Sequence, residues 1–158
     1  MKGNVGVKNL LISIGSGYHP GVRLLHSMVK DKSESYILIF NLEKPQLINE
    51  DLRKNSSVKY HEFKKSFDLL KRWLLENQFE LIGISFMSHS WDIFVCTTDI
   101  IREALPDCKI IAGGVHAWRV NPTETLEHCD YVCAAEGEEL YSKLVDILSI
   151  SKDTYPLH

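Results

Sequence analysis

An α/β three-layer sandwich around a five-stranded parallel sheet is the fold class that this 158-residue sequence predicts. Three observations carry the expectation. Short apolar runs alternate with helical patterns five times along the chain, and a crossover of helix length returns a chain parallel to the strand before it. The run FELIGISFM, 79–87, is apolar nearly throughout instead of alternating, as suits a central strand covered on both faces. Segments rich in glycine, serine and histidine follow the strands, which puts them all at one edge of the predicted sheet.

Taken in order, NLLISI at 9–14 is the first strand, ended by GSGYHPG. VRLLHSMV follows as a helix whose Val22, Leu25, Met28 and Val29 share a face. SYILIFNL, 35–42, is the second strand, and the polar, turn-rich span from 43 to about 59 is assigned to neither class. In 60–77, Phe63, Phe67, Leu70 and Leu74 recur at steps of three and four, the spacing of an amphipathic helix. After the third strand, 92–105 is helical through Ile93, Cys96, Ile100 and Ala104, with Pro106 as its stop. KIIAG, 109–113, is strand four. Asn121-Pro122-Thr123-Glu124 then has the residues of a helix start: a capping side chain, a proline at the first helical position and an acid at the third. YVCAA, 131–135, is strand five, and 138–148 is a last helix packing through Leu140, Leu144, Val145 and Leu148. The domain is expected to end near 150, with 151–158 beginning a linker. This succession is flavodoxin-like (Rossmann-like), with an expected strand order of 2-1-3-4-5.

Composition narrows the function classes. The chain is 44% apolar, enough for a sizeable core, and carries 18 basic against 21 acidic residues, so a nucleic-acid surface is not expected. Its longest apolar runs fall far short of a membrane span, and no signal-peptide pattern opens the chain. Cysteines 96, 108, 129 and 133 lack the spacing of a compact four-cysteine site; buried reduced thiols and a cytoplasmic location are expected. GxSxG, GxxxxGK[ST] and HExxH motifs are absent, as is the acidic cluster of a phosphorelay receiver.

In parallel α/β sheets ligands bind beyond the carboxyl ends of the strands, where strand order reverses. The loops at that edge hold the candidate residues. Gly113 and Gly114 remove two side chains at a strand end, either so that a flat ligand can lie against the backbone or to make a tight turn. Ser85 and Ser88 are placed to donate hydrogen bonds or to form a turn. His19, His89 and His116 stand on three of these loops, without regular metal-ligand spacing. Glu136-Gly137-Glu138-Glu139 opens the last helix, where carboxylates suit the positive helix end. Gly15-Ser16-Gly17 is a loose phosphate cradle that keeps a flavin or nucleotide binder open as an alternative. Tyr18, Trp91 and Trp118 are near enough either to line a trough at this edge or to fill it.

LIGISFMSHSW, KIIAGGVHAW and DYVCAAEGEEL, in that order and spacing, resemble the cobalamin-binding domain that precedes the catalytic barrel of cobalamin-dependent radical SAM enzymes, a group that includes the magnesium-protoporphyrin oxidative cyclase and several methyltransferases. The resemblance is strongest over 80–140, weaker over 9–30 and weakest over 31–79. It implies a sheet that holds cobalamin across its carboxyl edge. Ser85 then lies by the nucleotide tail, with Ser88 beyond it and Phe86 and Met87 as wall or core of the site. Gly113 and Gly114 let the tail lie close, and His116, Glu136 and Gly137 flank the site. Ser16, Gly17, Tyr18 and His19 face the corrin. His19 is the candidate cobalt ligand, although Gly17 and Val22 stand where the DxHxxG pattern of the methionine-synthase group has Asp and Gly. A water, or no protein ligand, on that face of cobalt stays open. No CxxxCxxC triad occurs. The resemblance therefore implies that S-adenosylmethionine and a [4Fe–4S] cluster belong to a radical SAM domain elsewhere, in cis or on a partner protein. This chain is expected to hold a cofactor and not to turn over alone. A flavodoxin-like interaction domain without a ligand is the other alternative.

Overall fold

The structure is a computed structural model that describes residues 6–15, 20–41, 56–114, 117, 121–133 and 137–154. Strands β1 (Lys8–Gly15), β2 (Glu34–Asn41), β3 (Leu81–Ser85), β4 (Lys109–Gly113) and β5 (Tyr131–Val132) form one sheet, parallel throughout, in the order β2-β1-β3-β4-β5. Helices α1 (Pro20–Val29), α2 (Ser56–Asn77), α3 (Trp91–Ala104), α4 (Pro122–Leu126) and α5 (Gly137–Thr154) follow the strands in turn. The expected class and strand order both hold. Strand order reverses between β1 and β3, so the crevice expected of such sheets falls at their carboxyl ends.

Alternation along each strand sends successive side chains to opposite faces. Leu10, Ile12 and Ile14 of β1, with Ile82 and Ile84 of β3, meet Phe67, Leu70 and Leu74 of α2 and Ile93, Phe94 and Ile101 of α3. Leu11, Leu81 and Ile111 face the other way, against Val22 and Val29 of α1 and Tyr141, Leu144 and Val145 of α5. Each face thus has its own core and its own pair of helices.

The local corrections have physical causes. On α1, Met28 is 41% exposed, while His26 turns inward and its Nδ1 lies 3.0 Å from the Ser35 hydroxyl. On α3 the buried stripe runs through Ile93, Phe94, Thr97 and Ile101, leaving Cys96 and Ile100 half-buried at its margin. The Asn121 cap is as expected, its Oδ1 accepting from the Glu124 N–H at 3.2 Å, but α4 lasts only five residues. Helix α5 runs past the expected domain end at 150 to Thr154. Its later turns are tied down: Ser149 Oγ accepts from the Val7 N–H at 2.9 Å, and Asp146 pairs with Lys32 at 2.9 Å. The four cysteines are reduced, three of them buried. Among the described residues no helix is long and apolar enough to cross a membrane.

Candidate ligand-binding site

On the α1/α5 face, side chains shrink toward the carboxyl edge. The parallel register aligns Leu11, Gly83 and Ile111 in one row and, two residues further on, Ser13, Ser85 and Gly113 in the next. A cavity of about 240 Å³ occupies the space that these small residues leave beneath the two helices. The sheet supplies Leu11, Gly83, Ser85, Ile111 and Gly113 to its wall. Helix α1 supplies Gly21, Val22 and Leu25, and α5 supplies Gly137, Glu138 and Tyr141. Cys133 and Gly114 complete it, at the ends of β5 and β4.

Its glycines are there for different reasons. Gly114 has φ +106°, and a Cβ on it would stand 2.4 Å from the carbonyl oxygen of Phe86, so the turn itself demands glycine. Gly113 has neither constraint. A Cβ there would meet nothing within 4 Å, and the same holds for Gly21 across the cavity. A glycine in a strand weakens it by roughly 0.5–1 kcal/mol relative to alanine, so the missing side chain at Gly113 is a stability cost whose one visible structural consequence is open space. Gly83 serves the floor: a Cβ on it would come within 3.0 Å of both Leu11 Cδ2 and Tyr141 Cε2, so the Tyr141 ring lies directly on the β3 backbone.

Tyr141 is 2% exposed, and its hydroxyl donates to Asn9 Oδ1 at 2.8 Å. Burial pushes its phenol well above the usual tyrosine range, which keeps the proton that this bond requires. Asn9, itself fully buried, also accepts from Ser35 Oγ at 2.9 Å and donates from Nδ2 to Ser33 Oγ at 2.9 Å and to the Val7 carbonyl at 3.3 Å. Ser33 in turn donates to the Val29 carbonyl at 2.7 Å. Among the described residues no buried side-chain polar atom lacks a partner, so this network is closed and holds the floor in place.

The candidate residues of the sequence divide into three groups. Ser85, Gly113, Gly114 and Gly137 line the cavity. Phe86, Met87 and Ser88 do not: the Phe86 side chain is on the opposite face, stacked on Phe94 with ring centroids 4.0 Å apart, and Met87 is 52% exposed beside the exposed Ser88. These two open a 3₁₀ turn that Ser90 pins by a 2.9 Å bond to the Met87 carbonyl. Ser16, Gly17, Tyr18, His19, His116 and Glu136 lie outside the described residues, as does Trp118. Trp91 packs against Phe86, Phe94 and His128, so it neither fills the cavity nor lines it. Sequence reasoning missed Tyr141, Gly83, Gly21 and Leu25. For Tyr141 a signal existed, because 141, 144, 145 and 148 make a more regular inward stripe than one begun at 140.

Among its described lining residues the cavity is an apolar slot whose polar groups are the hydroxyls of Ser85 and of the Asn9-bonded Tyr141, the Cys133 thiol and the Glu138 carboxylate. Pockets that enclose whole drug-sized ligands run to about 300–1,000 Å³. This one, at about 240 Å³, is smaller: it has room for a single ring system and is too small for a whole corrin. Among the described residues no cluster of His, Cys, Asp or Glu is arranged to hold a metal ion by itself. A larger groove of about 550 Å³ lies between β2 and α2, but Ser66 is the one hydroxyl among its described lining residues and the rest of its described wall is apolar. In comparison with known proteins, the chain matches no family model and no curated protein.

Proposed function

We propose that this chain is a corrinoid-binding module, carrying cobalamin at the carboxyl edge of its sheet on behalf of a radical SAM-type catalytic domain in cis or on a partner. The observation that carries the reading is Gly113, a strand-end glycine required by neither backbone angle nor neighbouring atoms, which keeps a slot open beside Ser85. Support also comes from the ordered set of strand-end motifs that resemble that family of domains.

The work of this chain is binding and placement. Gly113 and Gly21 leave room for a flat base between sheet and helices. Ser85 would offer its hydroxyl to a polar group of the nucleotide tail. Val22, Leu25 and Ile111 exclude water from its faces, and Tyr141 closes the inner end. When bound, cobalamin supplies a cobalt centre able to carry an alkyl group. His19 would be the candidate side chain to hold the cobalt, with water in its place if the histidine does not reach it. S-adenosylmethionine and the [4Fe–4S] cluster belong, on this reading, to the catalytic partner, so the chain alone carries a cofactor without turning over substrate.

Titrating the folded chain with hydroxocobalamin, followed by its visible absorption, tests the reading. Stoichiometric binding with a spectrum displaced from that of the free cofactor is the expected result. The His19→Ala variant then separates a histidine-ligated cobalt, whose spectrum changes, from one ligated by water. A folded chain that leaves the spectrum untouched at high micromolar cofactor rejects the module and favours an interaction domain; saturable flavin mononucleotide binding by that same chain favours the flavin alternative.

A further inference from the structure

The floor of the cavity is more elaborate than a core position needs. A tyrosine ring is laid on a central-strand backbone that has no side chain at Gly83, and its hydroxyl is fixed at 2.8 Å to a fully buried asparagine. That asparagine is held in turn by Ser33, Ser35 and the Val7 carbonyl. Ser35 donates its hydroxyl proton to Asn9 Oδ1, and His26 Nδ1 lies 3.0 Å from the same Ser35 oxygen. A leucine would fill the same apolar volume, but no such bond could fix its position.

We propose that Tyr141, laid across Gly83 and anchored by Asn9, is a fixed depth stop that limits the group entering the cavity to a flat aromatic heterocycle of two fused rings. The inference rests on the corrinoid reading and extends it to specificity: the chain selects among corrinoids by the length of the base on their nucleotide tail. The row of Ser85 and Gly113 lies two residues, roughly 6–7 Å, above the row of Gly83 and Ile111 on which the ring rests. That separation is about the long dimension of a bicyclic base. A third fused ring has to displace Tyr141, and the ring cannot withdraw without breaking its bond to Asn9.

Three corrinoids test this with the folded chain: cobalamin, cobinamide (which has no nucleotide tail), and a cobamide whose base is the tricyclic naphthimidazole. Absorption titrations give the three affinities. The wild-type chain should bind cobalamin more tightly than cobinamide, and should bind the tricyclic cobamide at least roughly tenfold more weakly than cobalamin, the scale on which apolar pockets reject oversize groups. Tyr141→Leu should close the gap between the bicyclic and tricyclic bases and leave cobinamide unchanged. Tyr141→Phe, which keeps the ring, should preserve most of the gap. If the leucine variant fails to fold, Gly83→Ala gives the opposite test, since its Cβ pushes the ring outward and should weaken cobalamin but not cobinamide. A wild-type chain that accepts the tricyclic base as readily as cobalamin, or a gap untouched by both Tyr141→Leu and Gly83→Ala, overturns the depth stop. Equal binding of cobalamin and cobinamide rejects it while leaving the module intact. Binding of none of the three rejects the module and the depth stop with it.

Discussion

The two faces of the sheet use the same strands and reach the same edge, but they end differently. On the α2/α3 face, Phe86 stacks on Phe94, Trp91 closes over both, and Phe40 packs on Phe67 at 5.3 Å. Bulk continues up to the strand ends and past them. On the α1/α5 face the corresponding positions are Ser13, Ser85 and Gly113, and the helices above contribute Gly21 and Gly137. One face is built as a core to its rim; the other stops being a core one row early. Small and polar residues therefore gather at the rim of one side, and a binding function is the cause that we propose for that asymmetry.

The contrast can be broken from the packed side first. Phe86→Ala removes a 1%-exposed ring from an aromatic stack and should cost about 3–5 kcal/mol in denaturant unfolding. A loss under about 1 kcal/mol contradicts the reading of that face as core. Gly114→Ala comes next, because it forces a β-carbon against the Phe86 carbonyl at a φ that suits glycine. Its expected cost is about 1–3 kcal/mol, measured in the same way.

Alkali should act through thiols on the packed side. Burial pushes Cys108 up to about 12, against the lowering pull of the Arg102 guanidinium. Burial likewise pushes Cys129 up to about 11, with the Asp130 carboxylate adding to the rise. Both thiols hold their protons more tightly folded than unfolded. Their contribution to stability is complete below the unfolded value of about 8.5 and is lost as pH climbs through the folded values. Unfolding free energy should fall above about pH 9, by at most about 1.4 kcal/mol per pH unit for each thiol, and Cys108→Ala should flatten that slope. The smallest effect belongs to the open side. Gly113→Ala should be neutral or should stabilise by about 0.5–1 kcal/mol, and a clear destabilisation would show that the position is structurally constrained after all.

Much of this was legible in the sequence, and the parts that were not have a common cause. The strand order came from the flavodoxin-like likeness, whereas strand identity and the parallel sheet followed from apolar runs with helical spacers, because periodicity and connection length are properties of the chain. The glycine pair and Ser85 stood out for the same reason, being side chains missing or polar at a strand end. Which face each residue serves was only partly legible: Phe86 reads as wall or core and Ser85 as a donor, but FELIGISFM is apolar on both sides, so nothing in it says that the two point into different halves of the molecule. The two glycines of 113–114 also read alike, and coordinates alone separate the one that the turn requires from the one that leaves space. Tyr141 and Asn9 are 132 residues apart, and no local pattern announces a bond over that distance. The end of α5 was missed because its last turns are fixed by Ser149 and Asp146 to Val7, just ahead of β1, and to Lys32, not by an apolar stripe of their own.

The central claim is that the space at Gly113 exists for a ligand. Parallel titration of the wild-type chain and Gly113→Leu with hydroxocobalamin, each checked for its thermal midpoint, addresses it most directly. The account predicts stoichiometric binding by the wild type and a loss of at least roughly tenfold in the variant, the penalty for a group that a filled apolar pocket cannot admit, with both chains melting at similar temperatures. Binding of equal strength in the two chains, or none in a wild-type chain shown to be folded, would contradict it.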